Sequence, residues 1–300
     1  MSQRVDAQLG EIGVPVKTNV NSPAPLDDLN VDEWRARAAP HRARVALHAE
    51  AFLQRRAKGE QHPVWDFLFT YYNFSPAKLM IWVPGLQDLK SEVSNLKSAS
   101  WSCPPLTARV LREAQWIAQL CDNIISKPAR LNCHGLHEWA MVYKESAAQV
   151  RHSGYNLRLP PDQIAAFVES QCVCCTHHDA YRFFTDAARP LNTLNPRFET
   201  RLNMEQSGCL HANMDLYKWA YKLWPWIGSD LVADAFEIAV AARDFDMRAS
   251  PYDLAALGFE PIKIETEEGR AEYRREQQQL MEMARPVRGK LREACQVFLA

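Results

Sequence analysis

Four segments of the sequence set histidine beside carboxylate in an otherwise apolar run: HPVWDFLFTYY (62–72), LNCHGLHEWAMVYK (131–144), CCTHHDAYRFFT (174–185) and CLHANMDLYKWAYK (209–222). Burying such groups costs several kcal/mol unless they pair, accept hydrogen bonds or bind a cation. One shared inward-facing polar cluster would satisfy all four segments together. His211 and Asp215 stand four residues apart, so on a helix the imidazole and the carboxylate share a face and can reach one ion. The same spacing equally suits a His–Asp hydrogen bond within one helix.

His62 and Asp66 repeat the interval, with Pro63 placing His62 at a helix entry. Adjacent His137 and Glu138 diverge by about 100° on a helix, so His137 is read as the ligand and Glu138 as the proton-transfer group or alternate ligand. Thr176 and Asp179 have the spacing of a capping pair, which leaves His177 and His178, one of which should turn inward. The resulting expectation is a metal set of His137, His177, His211 and Asp215, with Glu138 and Asp66 as catalytic carboxylates. Three imidazoles and one carboxylate suit iron, manganese or zinc with a position open to water or substrate. Arg182, Tyr217, Lys218 and Arg248 adjoin these segments and are candidates to hold an anionic substrate, although salt bridging is the commoner use of such side chains. Trp65, Trp139, Trp219, Trp224 and Trp226 could wall a site for a planar molecule or simply fill core. No nucleophile-elbow, dinucleotide-binding or phosphate-loop motif is present.

The elements that must position these groups read as helices. Pro40 suits the first turn of a helix with Val45, Ala49, Phe52 and Leu53 inward, ended by Gly59. Pro105 starts a long helix through Ile125, Asn132 can cap the next, and Pro160-Pro161-Asp162 opens another. Ser229 can cap DLVADAFEIAVAARDFDMR, whose Leu231, Ala235, Ile238, Ala242 and Phe245 share a face, and Thr266 starts a terminal charged helix. Only Tyr155–Leu159 and Pro261–Glu265 read as strands. The expectation is a mainly α protein: a single helical domain over 31–300 with a few short strands, preceded by an extended lead-in over 1–30.

With 300 residues, 47% hydrophobic and 24% charged, the chain can bury a sizeable core. A formal charge of -1 provides no global field for nucleic acid. The one basic stretch, Arg35 to Lys58, carries seven cations against Glu50 and reads first as a solvated helix face. The amino terminus lacks an apolar signal core, and no run nears the roughly 18 apolar residues of a membrane span. A cytoplasmic protein with no membrane partner is expected. Eight cysteines, mostly within apolar segments, read as free thiols, and the C-x-C-C cluster at Cys172, Cys174 and Cys175 lacks the paired spacing of a zinc site.

The motifs HPVWDFLFTYY, LNCHGLHEWAMVY, CTHHDAYRFFT, ARPLNTL, GCLHANMDLYKWAYK, DMRASPYDL and IETEEGRAEY resemble a bacterial family labelled 3-methyladenine DNA glycosylase, from about residue 60 to the end. His134 and the stretch Leu86–Trp101 depart from that pattern. The resemblance implies hydrolysis of an N-glycosidic bond to an alkylated base, with DNA as partner and Asp66 or Asp215 as the carboxylate beside a flipped base. A helix-hairpin-helix glycosylase would carry a glycine-rich hairpin; Trp82-Val83-Pro84-Gly85-Leu86-Gln87 echoes it without the second glycine. The near-neutral charge and histidine-rich segments fit better a metal-dependent enzyme acting on a small, planar or anionic molecule. A binding protein without catalysis is the third reading.

Overall fold

A helix that is apolar on nearly every side must lie among other helices, and Ser229–Ala249 is that helix. Leu231, Ala235, Ile238, Ala242 and Phe245 are buried as the spacing predicts, and so are Val232, Ala239 and Ala249 on neighbouring faces. Leu210–Met214 and Leu216–Lys222 pack against it, as do Val31–Lys58 and the terminal helix Glu267–Leu299. The terminal helix in turn lies along Ala108–Ser126. The computed structural model describes residues 31–90, 103–146, 150 and 154–299; the expected lead-in over 1–30 and most of the stretch 86–101 fall outside them. One continuous core runs from Val45 to Phe298. Helix accounts for 61% and strand for 2%, with no sheet among the described residues. No helix among the described residues is long and apolar enough to cross a membrane.

Several starts and stops differ locally from the sequence reading. Pro40 lies inside the helix Val31–Lys58. The polar, helix-favouring residues before it extend the helix toward its N-terminus despite the lost backbone donor. Gly59, at φ 70, ends that helix as expected, with Glu60 N–H donating to the Arg55 carbonyl at 2.9 Å. The long helix begins at Ala108, three residues beyond the expected Pro105 start, because the Thr107 hydroxyl accepts from Val110 N–H. Gly135, at φ 70, takes the cap position before Leu136–Ala140 in place of Asn132. Thr266 does cap the terminal helix, its Oγ1 accepting from Gly269 N–H at 3.0 Å.

Neither expected strand forms a ladder. Within 155–159 only Leu157 makes an isolated bridge, to Tyr252, and Pro261–Glu265 turns on itself, with Ile264 N–H donating to the Ile262 carbonyl. The terminal helix presses so closely on that segment that a Cβ at Gly269 would stand 1.9 Å from the Lys263 carbonyl oxygen.

Ser229 is the first residue of the central helix, and its expected capping role falls to Gly228. Its hydroxyl accepts from Val83 N–H and Trp224 Nε1–H and donates to the Ile81 carbonyl. The Pro84-Gly85 turn is therefore stitched to residues 226–229. Leu86 N–H donates to the Trp226 carbonyl at 2.7 Å and Gly85 N–H to Asp88 Oδ2 at 2.8 Å. A Cβ at Gly85 would fall 2.8 Å from the Ile227 carbonyl carbon.

Candidate metal centre and its cleft

Three elements far apart in sequence deliver His137, His211 and Asp246 to one place. His137 rides on the short helix Leu136–Ala140, which the αL cap at Gly135 turns inward. Trp139, in that helix, anchors it by donating from Nε1 to the Ala249 carbonyl at 2.9 Å. His211 comes from Leu210–Met214 and Asp246 from the central helix. One ligand atom from each of the three lies within 4.8 Å of the others. The imidazole rings of His137 and His211 are 4.5 Å apart edge to face, and His137 Nε2 is 2.8 Å from Asp246 Oδ1.

Burial alone would depress the His137 pKa, but the Asp246 carboxylate beside it outweighs burial and raises it. The same pairing holds the Asp246 carboxyl below its usual range although burial opposes this. For His211 burial and the neighbouring His137 outweigh the opposing carboxylates of Asp246 and Asp215 and push it down to about 3, so it stays neutral and available as a ligand. Arg243, one turn before Asp246, approaches its other oxygen at 3.4 Å and stacks over Phe67 at 4.2 Å from the ring centroid.

His177 belongs to a second buried cluster in contact with the first. Its ring lies 5.4 Å from that of His211. His177 itself caps the helix His178–Tyr181, its Nδ1 accepting from Ala180 N–H at 3.3 Å, so the expected Thr176–Asp179 cap does not form. Its Nε2 then faces Asp215 at 3.3 Å and Glu205 at 3.5 Å. Asp179, released from capping, binds Arg201 and Lys218, each at 2.7 Å. Lys218 also reaches Asp215 at 2.9 Å, and Tyr72 donates its hydroxyl to that carboxylate at 3.2 Å. Against the opposing effect of burial, Lys218 and Arg201 hold the Asp179 carboxyl, and Lys218 and the His177 hydrogen bond the Asp215 carboxyl, well below the usual range. The expected fourth ligand, Asp215, is occupied here because the helix breaks at that residue, with Leu210–Met214 ending before it and Leu216–Lys222 starting after it.

A cavity of about 70 Å³ opens from the first cluster, and His211, Glu138, Tyr71, Phe183, Arg243 and Tyr252 border it together with Phe67 and Asp179. Glu138 Oε1 lies 4.0 Å from His137 Nε2. The Phe67 and Tyr71 rings stack at 4.7 Å and 8°. A smaller pocket on the other side of His211 and His137 is lined by Cys133, Cys174, Cys175 and Cys209. Burial pushes the Cys174 thiol up to about 11 and Cys175 up to about 12, which keeps them protonated.

The remaining candidates lie elsewhere. Asp66 is tied to Arg55 and accepts from His62 N–H at 2.9 Å, a brace between two helices away from the cleft lining. Tyr217 is buried in the aromatic core, Lys218 is fixed between Asp179 and Asp215, and Arg248 pairs with Glu276. Arg182 is half-exposed, 4.0 Å from Asp179. Trp139 and Trp219 are buried in the core, with Trp65, Trp224 and Trp226 packed against it. In the basic stretch, Arg42 pairs with Glu50, Arg44 with Asp234 and Glu237, and Arg55 with Asp66.

The sequence reading missed Asp246, Glu205, Arg201 and Arg243, because it weighed only segments containing histidine. A signal existed: Asp246 falls four residues after Ala242 and seven after Ala239, on the apolar stripe, where a carboxylate needs a partner. Arg201 and Glu205 have ion-pair spacing of the i,i+4 kind.

No family model matches the chain, and searches of curated proteins and of solved structures likewise return no match.

Proposed function

We propose that the protein is a metal-dependent enzyme in which His137, His211 and Asp246 hold one divalent cation and the adjoining cleft admits a small substrate. The observation that carries this reading is the convergence of two imidazoles and one carboxylate within 4.8 Å, one of them, His211, bordering a cavity. Two histidines and a carboxylate leave coordination positions open, a donor set suited to iron(II), and with zinc or manganese also within its chemistry. The cation would be held by His137, His211 and Asp246 and would replace the His137–Asp246 hydrogen bond. Glu138 borders the same cavity and is placed to take or give a proton at a ligand on the open side. The Asp179–Lys218–Asp215–His177 network fixes the second wall and holds His177 against His211.

The aromatic rings of Tyr71, Phe183 and Tyr252 on the lining favour a planar group. A divalent cation together with Arg243 favours a substrate that carries negative charge or develops it. The glycosylase reading draws no support from the Pro84-Gly85 turn, where Gly85 N–H donates to Asp88 and Leu86 N–H to the Trp226 carbonyl.

Elemental analysis of the natively purified protein tests the proposal. A near-stoichiometric transition metal that disappears in His137→Ala and Asp246→Ala is the expected result. Less than a tenth of an equivalent, with no uptake on reconstitution by iron(II), manganese(II) or zinc(II), would overturn it.

A further inference from the structure

Tyr71 enters no role in the sequence reading, yet its side chain is placed differently from those of Tyr72 and Tyr217. The hydroxyl of its neighbour Tyr72 is bound to Asp215, and Tyr217 has its hydroxyl sealed in the core. Tyr71 is partly exposed and borders the cavity beside His211 and Glu138. Its ring is fixed on one face by the parallel ring of Phe67, whose far face carries Arg243. Arg243 in turn is pinned to the Val64 and Pro63 carbonyls and to Asp246. A chain of stacked groups therefore runs from the carboxylate of the proposed metal site to the phenol and orients it.

We infer that Tyr71 is the hydrogen-bond donor to a ligand bound at the open side of the His137–His211–Asp246 site, and that the cleft selects ligands presenting an oxygen or nitrogen acceptor to it. This rests on the metal-site reading. The phenol keeps its proton throughout the physiological range, since burial and the carboxylates of Asp215 and Asp179 raise its pKa. It therefore acts as a donor, complementing the acceptors Glu138 and Asp179 on the same lining. The ligand class that satisfies both is a small molecule with an acceptor atom toward Tyr71 and an N–H or O–H toward Glu138. A preorganised donor aimed at a metal-bound atom contributes both to binding and to charge stabilisation. Tyr71 thereby sets orientation where the sequence reading had looked to Arg182, Tyr217, Lys218 and Arg248.

The experiment needs no knowledge of the substrate. Cobalt(II) is loaded into the full chain, its visible bands are recorded, and azide is titrated as a small acceptor ligand for the open position, in the unsubstituted protein and in Tyr71→Phe. Tyr221→Phe, a tyrosine stacked on Phe74 that does not border the cavity, is the control for loss of a phenol. Expected are equal cobalt affinity in all three and azide binding at least threefold weaker in Tyr71→Phe alone. Equal azide affinity within threefold in Tyr71→Phe, with cobalt bound, overturns the inference and leaves the metal site standing. Failure of cobalt to bind at all overturns the metal reading and this inference with it.

Discussion

His137 Nε2 and Asp246 Oδ1 meet at 2.8 Å although 109 residues separate them in sequence. Both are buried, and the pairing raises one pKa and lowers the other, so each needs its partner. Replacing Asp246 by Ala leaves His137 and Arg243 facing each other out of water. We expect a loss of about 3–5 kcal/mol, read as a lower urea midpoint with an unchanged slope. A loss under about 1 kcal/mol would show that the pair is not structurally coupled.

The second cluster makes a comparable prediction from the opposite sign of charge. Arg201 is 3% exposed and bridges Asp179 and Glu205 at 2.7 and 3.0 Å. Arg201→Met retains volume and removes the charge, taking the arginine from buried Glu205 and one of two cations from Asp179, which keeps Lys218. It should destabilise the fold by about 3–5 kcal/mol, and Arg201→Met combined with Glu205→Gln should recover part of that loss. Additive losses would argue against the bridge.

Acid should unfold the protein through Asp179 and Asp215. Both have pKa values depressed below the ordinary 3.8 in the folded state, so the unfolded chain binds protons first as pH falls. Their stabilisation is complete above about pH 5 and is lost progressively as pH falls through 3.8 toward the folded values. Urea melts between pH 6 and pH 3 should show a falling midpoint, with a shallower fall in Asp215→Asn. An identical pH slope in that variant would contradict the assignment.

Duplex DNA provides a test of the family resemblance. Three of the seven cations in the basic stretch are ion-paired within the protein. We expect no duplex affinity that falls steeply with salt and no release of free methylated base. Either observation would place glycosidic hydrolysis ahead of the metal-dependent reading.

Gly85 is predicted to tolerate no side chain. Its Cβ would meet the Ile227 carbonyl carbon and oxygen at 2.8 Å, and both are backbone. Gly85→Ala should cost about 1–3 kcal/mol in thermal or chemical denaturation. A neutral effect would mean that the turn is not docked on residues 226–229.

The helical architecture was legible because amphipathic spacing survives packing: Leu231, Ala235, Ile238, Ala242 and Phe245 are buried in the order the period requires. Helix entries were less legible. Thr107 and His177 cap where Pro105 and Thr176 were expected, since competing caps one or two residues apart differ by less than the tertiary contacts that choose between them. The histidines of the site could be picked out, being rare polar groups in apolar runs. Asp246 could not be found by looking beside histidines, because its partner is 109 residues away and only the docking of Leu136–Ala140 on the central helix introduces them. Asp215 misled for the converse reason: its four-residue spacing from His211 assumes an unbroken helix, and the chain changes helix at that residue.

The three proposed ligands are contributed by Leu136–Ala140, Leu210–Met214 and Ser229–Ala249, so this ligand set exists only when all three helices are docked. Metal occupancy would then report whole-molecule assembly: any event that undocks one of these helices releases the ion, and any free ion above its dissociation constant tightens the docking of all three. For such a centre, supply of the metal in the cell and persistence of the folded protein become one quantity, and starvation for the ion would be felt first as loss of the polypeptide itself.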